Sequence, residues 1–380
     1  MRMTATVIAC KRLTSWQIDY VAAYLNSINK FEVYMEQPWP FVVQGKEHMV
    51  LQVNKTVYGM MQGAYDWEDE LSRTYKRLGY YQSCADPCIR HRLIDGKEGE
   101  GNRQDGRVLR GEEDMTQDEK TGTITLSQQV FAKRTLERFS MSDCNAKSMP
   151  LPCGIKLSEL NSPRMEEETL FMKDKPYREA LGCVMWLQAN LGPAHWRASQ
   201  HVLTYIKGTL HYKITYDPNS ADGLKVAGYS NSDYAGDANT MRSTGGYIYT
   251  MAGGPVTWSS KQQAMTASST MEAEYMALNR ACQQAVWMQG WISEARLEQM
   301  SPALIHGDNK GSVDLAKNIK GITKAKHIHV KHHYIRECVK DSDMEIVQIP
   351  TDDNIADILT KPLPQATHEK FTHALGLCDA

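Results

Sequence analysis

Residues 269–275 read Ser-Thr-Met-Glu-Ala-Glu-Tyr and begin a long predicted helix that runs from about Met271 to Ala295. Apolar segments before this helix predict three strands, and later segments predict two more strands and three helices. A mixed sheet flanked by helices is the natural packing of that order, so we expect an α/β domain over residues 222–365. The predicted strands and shorter helices are Lys225–Ser230, Gly246–Met251, Pro255–Ser259, Leu304–His306, Gly311–Lys317, His329–Lys340, Glu345–Pro350 and Asn354–Leu359.

Acidic residues on these elements suggest a metal-dependent nuclease site. Glu274 lies on the long helix, Asp308 follows a buried strand, and Asp357 lies on the terminal helix. Hydrolysis with two divalent ions needs carboxylates from separate elements, because the ions bracket the attacking and leaving oxygens. A fourth acid is expected at the end of the first strand, where Asn231 stands instead. The alternative is that each acid is a surface residue or a helix cap, as Asp308 could be for the helix after it.

Asn231 weakens the expected site, because an amide is neutral and offers one carbonyl oxygen to a metal ion. Asp233 lies two residues further on and faces the same side of an extended strand. It is displaced by about 6–7 Å along the strand, whereas a magnesium–oxygen bond is about 2.1 Å long. Asp233 could therefore supply the missing ligand only if the backbone rearranged.

The composition excludes several classes of protein. The 380 residues predict two or three domains, and 43 basic against 45 acidic residues exclude a globally basic nucleic-acid binder but not a local basic face. Nine cysteines without a paired CxxC arrangement indicate reduced thiols. No apolar run reaches the ~18 residues of a membrane span, and the N-terminus lacks the apolar core of a secretory signal. We expect a cytoplasmic or nuclear protein that is not secreted and has no membrane partner.

The chain before residue 222 divides into three regions. Residues 1–92 are predicted to be a globular fragment, and residues 123–215 regain apolar periodicity after it. Residues 93–122 are predicted to be a polar linker, because they cannot bury enough apolar surface to offset the entropy of ordering. The predicted elements are a strand entering a short helix at Ser15–Leu25, a strand at Glu32–Pro38, and helices at Trp67–Leu78, Gln128–Phe139, Tyr177–Ala189 and His195–Leu210.

The segment Lys317–Arg336 is rich in basic residues and contains no acid. One interpretation is a basic face that follows a nucleic-acid backbone, and the other is an ordinary solvated helix and loop. A zinc site is a weaker alternative, supported only by the i, i+4 spacing of His329 and His333. The candidate nucleic-acid-binding residues are Lys320, Lys324, Lys326, Lys331 and Arg336.

Short motifs across residues 222–365 resemble the ribonuclease H domain of copia-type retrotransposon Pol polyproteins. The motifs are Gly228-Tyr229-Ser230, Asp233-Tyr234-Ala235-Gly236-Asp237, Arg242-Ser243-Thr244-Gly245-Gly246-Tyr247, Trp258-Ser259-Ser260-Lys261-Gln262, Glu272-Ala273-Glu274-Tyr275, Lys326-His327-Ile328 and Ala356-Asp357-Ile358-Leu359-Thr360-Lys361-Pro362. The resemblance implies a ribonuclease H-like mixed sheet, and Mg²⁺- or Mn²⁺-dependent hydrolysis of the RNA strand in an RNA–DNA hybrid. It implies that Asp308 holds metal, that Glu274 holds metal and positions the nucleophile, and that Asp357 completes the second ion's shell. Asn231 matches the first aspartate of that family.

Upstream motifs resemble the reverse transcriptase of the same polyproteins. They are Gln17-Ile18-Asp19, Ala23-Tyr24-Leu25-Asn26, Val33-Tyr34-Met35-Glu36-Gln37-Pro38, Tyr58-Gly59-Met60-Met61-Gln62, Ala85-Asp86-Pro87-Cys88 and Tyr205-Ile206-Lys207-Gly208-Thr209-Leu210. The resemblance implies an incomplete α+β palm fragment over residues 1–92 and a distal or connection region over residues 123–215. In that family the aspartate that Asp19 matches binds a polymerase metal ion.

Two gaps distinguish the chain from the family pattern. The family carries a Tyr-Val-Asp-Asp turn between the segments that match Cys88 and Gly122, and here that interval contains the polar linker. A second gap falls near residues 186–189, where the family has a further helical stretch. Without the palm hairpin Asp19 lacks partner carboxylates, so we expect the polymerase activity to be lost.

The sequence therefore predicts a Pol remnant in which a broken reverse transcriptase precedes a nearly complete ribonuclease H domain. Three hypotheses follow, namely an impaired nuclease, a catalytically silent module that binds hybrids, and a pseudogene product without a selected role. Asn231 and the basic segment favour the second hypothesis, and the two gaps favour the third. Metal-dependent hydrolysis separates the first from the second.

Overall fold

The structure is a computed structural model, and the chain in it forms two compact units. The larger unit consists of residues 1–15, 110–289 and 297–380, and the smaller unit of residues 16–109 and 290–296. The residues that the structure describes are 2–12, 23–57, 59–84, 90–91, 114–118, 120–155, 157–158, 161–177, 179–180, 192–221, 223–294, 303–317, 334–340 and 344–378.

The helices are α1 (Arg2–Lys11), α2 (Gly63–Arg77), α3 (Gln129–Arg138), α4 (Glu166–Lys173), α5 (Pro193–Gly208), α6 (Thr270–Glu294), α7 (Lys310–Lys317), α8 (residues 334–340) and α9 (Gln365–Ala374). The strands are β1 (Tyr34–Glu36), β2 (Val50–Gln52), β3 (Tyr81–Gln82), β4 (Arg90–His91), β5 (Asp114–Gln117), β6 (Ile124–Ser127), β7 (Lys213–Tyr216), β8 (Ala227–Ser232), β9 (Thr244–Met251), β10 (Gly254–Gln262), β11 (Leu304–Gly307), β12 (Glu345–Gln348) and β13 (Leu377–Cys378). Short 3-10 helices lie at Ala23–Asn26, Thr351–Asp353 and Ile355–Leu359.

The larger unit contains a five-stranded mixed sheet in the order β10–β9–β8–β11–β12. Strands β8, β9 and β10 are antiparallel neighbours, and the tight turn between β9 and β10 has Ala252 and Gly253 at positive φ. Strand β11 runs parallel to both β8 and β12, because the connections between these strands pass through helices. The expected mixed sheet flanked by helices is confirmed, and β8 lies at its centre.

Helix α6 packs closely on one face of this sheet, because its buried stripe consists of small residues. The stripe has i, i+4 spacing and contains Ala273, Ala277, Ala281 and Ala285. A Cβ on Gly245 of β9 would lie 3.3 Å from the Cβ of Ala277. The hydroxyl of Tyr249 donates a hydrogen bond to the Ala281 carbonyl at 2.7 Å. The first half of α6 is therefore fixed against the sheet.

The 3-10 helix Ile355–Leu359 and helix α9 cover the opposite face. Successive strand residues point to opposite faces, and Gly246 faces this side because a Cβ there would lie 2.9 Å from the Cβ of Leu359. The apolar cluster on this face contains Ile248, Ile355, Ala356, Leu363, Phe371 and Leu375. Each large apolar side chain buried there contributes about 1.5–3 kcal/mol. The cluster thus holds the 3-10 helix beside the central strands.

A second, antiparallel sheet of the larger unit has the order β13–β7–β6–β5. Helix α1 packs against β6 and β7 of this sheet and against β10 of the first sheet. The guanidinium of Arg2 lies 4.0 Å from the centroid of the Trp258 ring. Residues Met3, Ala5, Thr6 and Ala9 form the buried side of α1. The N-terminal helix is therefore part of the same core as the C-terminal elements.

The smaller unit exposes many apolar side chains. Its strands β1 and β2 form a two-stranded sheet whose residues are all exposed. Trp39, Phe41 and Met61 are 77–99% exposed. Helix α2 forms an ion pair with the β3–β4 ribbon through Glu68 and Arg90. A two-stranded sheet without a covering layer is marginally stable in water.

Some predicted elements are corrected by the structure. The terminal helix expected at Asn354–Leu359 is a 3-10 helix over Ile355–Leu359, because i+3 bonds such as Thr360 N–H to Asp357 O close its turns. Residues 114–117 of the expected linker 93–122 form β5, because pairing with β6 satisfies their backbone groups despite polar side chains. Helix α1 was not predicted. The other strands and helices expected within residues 222–365 are present within three residues of the predicted limits wherever the structure describes them.

Other predictions lie outside the described residues or stay predictions. Residues 15–22, 181–189 and 329–333, which carry parts of predicted elements, lie outside the described part. Residues 123–215 and all of residues 222–365 except 290–296 fall in one compact unit, and the separation of these two regions into domains stays a prediction. Across the described residues, the helices all fall short of the combined length and hydrophobicity that a bilayer-spanning segment requires.

Candidate functional site

Asn231 lies at the centre of the candidate site, near the end of the central strand β8. It pairs with Gly246 on β9 and is 2% exposed. Its side-chain amide donates one hydrogen bond to Oδ1 of Asp357 and another to Oγ1 of Thr360 at 3.1 Å. The amide therefore presents hydrogens, not its carbonyl oxygen, to the Asp357 carboxylate.

Asp357 reaches this position because Asn354 fixes the start of its 3-10 helix to β8. The Asn354 side chain donates to the Ser230 carbonyl at 3.0 Å and accepts from the Ala356 amide at 3.2 Å. Gly246 lets the helix approach the sheet, since any Cβ there would lie 3.0 Å from Cγ2 of Thr360. Asn354 was missed in the sequence, although an asparagine before a short helix is a typical N-cap.

The Asp357 carboxylate has donors on both oxygens. Oδ1 accepts from Asn231, and Oδ2 forms an ion pair with Nζ of Lys361 at 2.9 Å. Burial raises the pKa of Asp357, the Lys361 ammonium opposes that rise, and the nearby Asp308 adds to it. Lys361 was not among the predicted site residues, although its i, i+4 spacing from Asp357 is a sequence signal for the pair.

Glu274 lies on the second turn of α6 and joins the cluster from the other side of β8. Burial, followed by the charge of Asp308, raises the pKa of Glu274 to about 8. A hydrogen bond from the backbone N–H of Ser232 opposes this rise, and the charge of Asp357 adds to it. Glu274 is therefore close to the end of β8 and to the other two acids.

Asp308 follows β11 and is not the cap of helix α7. The capping role belongs to Asn309, whose side chain accepts from the Ser312 amide at 2.9 Å. The charge of Asp308 raises the pKa of both Glu274 and Asp357, so Asp308 lies near both carboxyls. The helix-cap alternative considered for Asp308 is wrong.

Asp233 has a structural role in the connection between β8 and β9. Its carboxylate accepts a hydrogen bond from the Thr244 amide, and its own amide donates to the Thr244 carbonyl at 3.1 Å. A Cβ on Gly236 would lie 1.7 Å from Oδ2 of Asp233, so this glycine makes room for the carboxylate. Burial raises the pKa of Asp233 and the Thr244 amide opposes that rise.

The structure brings Asn231, Glu274, Asp308 and Asp357 together at one edge of the sheet, with Lys361 among them. The donor set does not fit a divalent ion as it stands, because Asn231 and Lys361 direct hydrogens at both Asp357 oxygens. Among the described residues, no group of three or more His, Cys, Asp or Glu side chains could hold a metal ion. The four residues lie near one another, and their role in a metal site stays a prediction.

Most of the other predicted site residues cannot be placed. Asp19, Lys320, Lys324, Lys326 and Lys331 lie outside the described residues, as do His329 and His333 of the zinc alternative. Arg336 lies on α8 and is half-buried. Its charge opposes the rise that burial causes in the pKa of Tyr275, so its guanidinium lies near a buried residue of α6.

The sequence is similar to known Pol proteins over nearly its whole length. Residues 1–98 match the model of the reverse transcriptase (RNA-dependent DNA polymerase) family. The retrovirus-related Pol polyprotein from transposon TNT 1-94 of Nicotiana tabacum is 29% identical over 432 positions, which cover 99% of this chain and 32% of that protein. The one from transposon RE1 of Arabidopsis thaliana is 25% identical and covers 96% of this chain and 28% of that protein. The chain thus spans about a third of the length of these relatives.

Two further similarities each cover about a third of the chain. A secreted RxLR effector protein of Plasmopara viticola is 39% identical over 135 residues, which cover 31% of this chain and 94% of that protein. Ribonuclease H1 from Halobacterium salinarum is 19% identical with a TM-score of 0.28, over 36% of this chain and 94% of that structure. The alignment with the tobacco relative is longer than the 380 residues of this chain, so that relative has positions without counterpart here.

Proposed function

Because the chain belongs to the copia-type retrotransposon Pol polyproteins, we propose that residues 222–365 are a ribonuclease H domain with impaired hydrolysis. The substrate class is the RNA strand of an RNA–DNA hybrid. The polymerase of the same ancestor is lost in this proposal, because positions of the relatives are missing here and Asp19 has no predicted partner acids.

One observation carries the proposed loss of hydrolysis, namely the hydrogen bond from the Asn231 amide to Asp357. Divalent ions supply Lewis-acid stabilisation of the phosphodiester oxygens in such nucleases. The residues of this chain instead hold the cluster together by hydrogen bonds and one ion pair. Glu274, with its pKa raised to about 8, carries a proton at neutral pH and is a weakened metal ligand in that form.

The direct test is release of labelled RNA from an RNA–DNA hybrid in Mg²⁺ or Mn²⁺. We expect little or no release by the wild-type chain and at least about tenfold more by Asn231→Asp, which corresponds to ~1.4 kcal/mol of barrier. Adding Asp308→Asn to that variant should abolish the gain. Asn219→Asp is the matched control, because Asn219 is exposed and its amide also contacts an aspartate, Asp217.

Two outcomes contradict the proposal. Equal cleavage by wild type and Asn231→Asp means that Asn231 is not the defect. No cleavage by either folded protein, together with hybrid binding in a gel-shift assay, supports the silent binding module instead. Absence of both cleavage and binding leaves the pseudogene product without a selected role.

We also propose a reducing compartment, cytoplasmic or nuclear. The cysteines that the structure describes, Cys10, Cys84, Cys144, Cys153, Cys282 and Cys338, are free thiols. The proposed partner is nucleic acid. Purified protein treated with a thiol-reactive dye without reductant should label at its exposed cysteines, and resistance to labelling would contradict this proposal.

A further inference from the structure

Asn231 joins the central strand to the 3-10 helix through both hydrogens of its amide. One is donated to the Asp357 carboxylate and the other to the Thr360 hydroxyl. Asn231 and Asp357 are 2% and 4% exposed. A buried carboxylate without donors would be strongly destabilising. The Asn231 amide thus gives the buried Asp357 carboxylate a contact that a metal ion could otherwise provide.

The geometry points to a metal-independent lock: we propose that Asn231 is a positioning residue that links β8 to the 3-10 helix in place of a divalent ion. The larger unit should therefore be equally stable with and without such an ion. The inference rests on the proposed loss of hydrolysis for the identity of the missing aspartate. The inference is tested by thermal stability and the proposed function by RNA cleavage, so each can fail without the other.

Charge counting supports this inference. Among the described residues, the Lys361 ammonium opposes the rise in the pKa of both Glu274 and Asp357 and forms an ion pair with Asp357, whose pKa the charge of Asp308 raises. Lys361 also opposes the rise in the pKa of Asp233, so its ammonium lies among several carboxylates. An aspartate at position 231 would add a fourth carboxylate in contact with Asp357. Their repulsion would then be relieved by protonation or by a cation.

The position of the 3-10 helix does not depend on the acids alone. Asn354 ties the start of that helix to Ser230 of β8, and the apolar cluster around Ile248 and Phe371 covers it. Replacing Asn231 on β8 therefore changes the charge next to the 3-10 helix, which remains attached to the sheet. A variant at this position should report on ion dependence rather than on loss of the whole fold.

The experiment measures the apparent Tm of the full chain by circular dichroism, in EDTA and in millimolar Mg²⁺. For the wild type we expect the two values to agree within about 1 °C. Asn231→Asp should lower the Tm in EDTA by roughly 10 °C, because a buried repulsion costs several kcal/mol and each kcal/mol shifts the Tm by about 2–4 °C. Mg²⁺ should restore at least half of that loss. The matched control, exposed Asn219→Asp, should change Tm by less than about 2 °C in both buffers.

Several results would overturn the inference. One is a wild-type Tm that rises by several degrees in Mg²⁺, and another is an Asn231→Asp variant as stable as wild type in EDTA. If Asn231→Asp does not fold in either buffer, the same Tm measurements on Thr360→Val test the inference, since this substitution removes one acceptor of the Asn231 amide. We expect a fall of a few degrees, equal in both buffers, and an unchanged Tm would contradict the lock.

Discussion

Glu274 illustrates how a single carboxyl responds to its surroundings in this fold. Burial and the charge of Asp308 raise its pKa to about 8, whereas its ordinary value is 4.5. Between these two pH values the folded chain binds a proton that the unfolded chain releases. The contribution of Glu274 to the free energy of unfolding therefore falls as pH rises through that interval, and it levels off above about pH 8. Asp357 and Asp233 shift in the same direction.

The first prediction concerns this pH dependence. In EDTA, the wild-type free energy of unfolding should fall between pH 5 and pH 9 by an amount on the order of a few kcal/mol. Glu274→Gln removes the ionisation, so the variant should lose less over that range and exceed wild type above pH 8. Urea unfolding at each pH measures both slopes. Glu345→Gln on β12 is the control, because Glu345 is exposed, and parallel slopes for wild type and Glu274→Gln would contradict the assignment.

At the scale of elements, two adjacent glycines let α6 and the 3-10 helix approach opposite faces of β9. Gly245 faces Ala277, and Gly246 faces Leu359 and Thr360. A methyl group at either position needs space that backbone or short side chains already fill. The glycine pair thus sets how closely α6 and the 3-10 helix approach β9 at the candidate site.

The second prediction compares two glycine replacements. Gly246→Ala should lower the free energy of unfolding by about 1–3 kcal/mol, because its Cβ would lie 2.9 Å from Leu359 Cβ. Gly290→Ala, in helix α6 with open space at the Cβ position, should be neutral or more stable by about 0.5–1 kcal/mol. Chemical denaturation measures both. Equal effects of the two replacements would show that close packing at Gly246 is not limiting.

The third prediction concerns helix α1. Ala9→Glu should destabilise the larger unit by about 2–4 kcal/mol, because Ala9 is 0% exposed and a charge there would be buried unpaired. Thr4→Glu, on the exposed side of the same helix, should stay within about 0.5 kcal/mol. Amide hydrogen exchange in β10, against which α1 packs, gives a local measurement. Unchanged exchange in Ala9→Glu would mean that α1 does not support this strand.

Periodicity predicted the elements of residues 222–365 well, and the reasons for the misses are physical. Strands β9 and β10 carry their pattern locally, and so does α6 with its alanine stripe. Strand β5 consists of Asp114–Gln117, whose polar side chains give no such signal, and its pairing with β6 is a tertiary contact. Helix α1 is short, and its buried side of Met3, Ala5, Thr6 and Ala9 contains few large apolar residues, so its apolar periodicity is weak.

The proximity of the candidate acids was predictable from the sequence, their hydrogen bonding was not, and their role as a functional site stays a prediction. The sequence contexts of Glu274, Asp308 and Asp357 indicated acids on converging elements. No spacing rule indicates that Asn231 turns its amide hydrogens toward Asp357, since these residues are 126 positions apart. Lys361 was within reach of the i, i+4 rule. Pairing across the fold decides which oxygens remain for a metal ion.

At the scale of the whole molecule, the smaller unit contains most of the residues that match the reverse transcriptase family. Residues 1–98 match the reverse transcriptase family, yet the relatives contain positions that this chain lacks. The described residues of the smaller unit expose Trp39 and Phe41. Large exposed apolar side chains of this kind mark surfaces that other structure normally covers.

The fourth prediction is that the purified chain does not extend a primer. Asp19 alone cannot form a two-metal site, so nucleotide incorporation on a primed RNA template in Mg²⁺ should stay at the level of a no-enzyme blank. An active reverse transcriptase in the same reaction serves as the positive control. The Asp19→Asn variant should give the same result as wild type. Incorporation that this substitution abolishes would contradict the prediction.

Helix α1 has a consequence for the order of events during protein synthesis. The strands against which it packs include β6, which begins at Ile124, and β10, which begins at Gly254, so more than two hundred residues are translated after α1 before β10 exists. At about 5–20 residues per second, the contact between α1 and β10 forms no earlier than roughly 10–50 s after α1 is made. An isolated helix of ten residues is marginal in water, so α1 depends on these later strands for its stability. A chaperone that recognises short apolar segments therefore has this interval in which to bind α1.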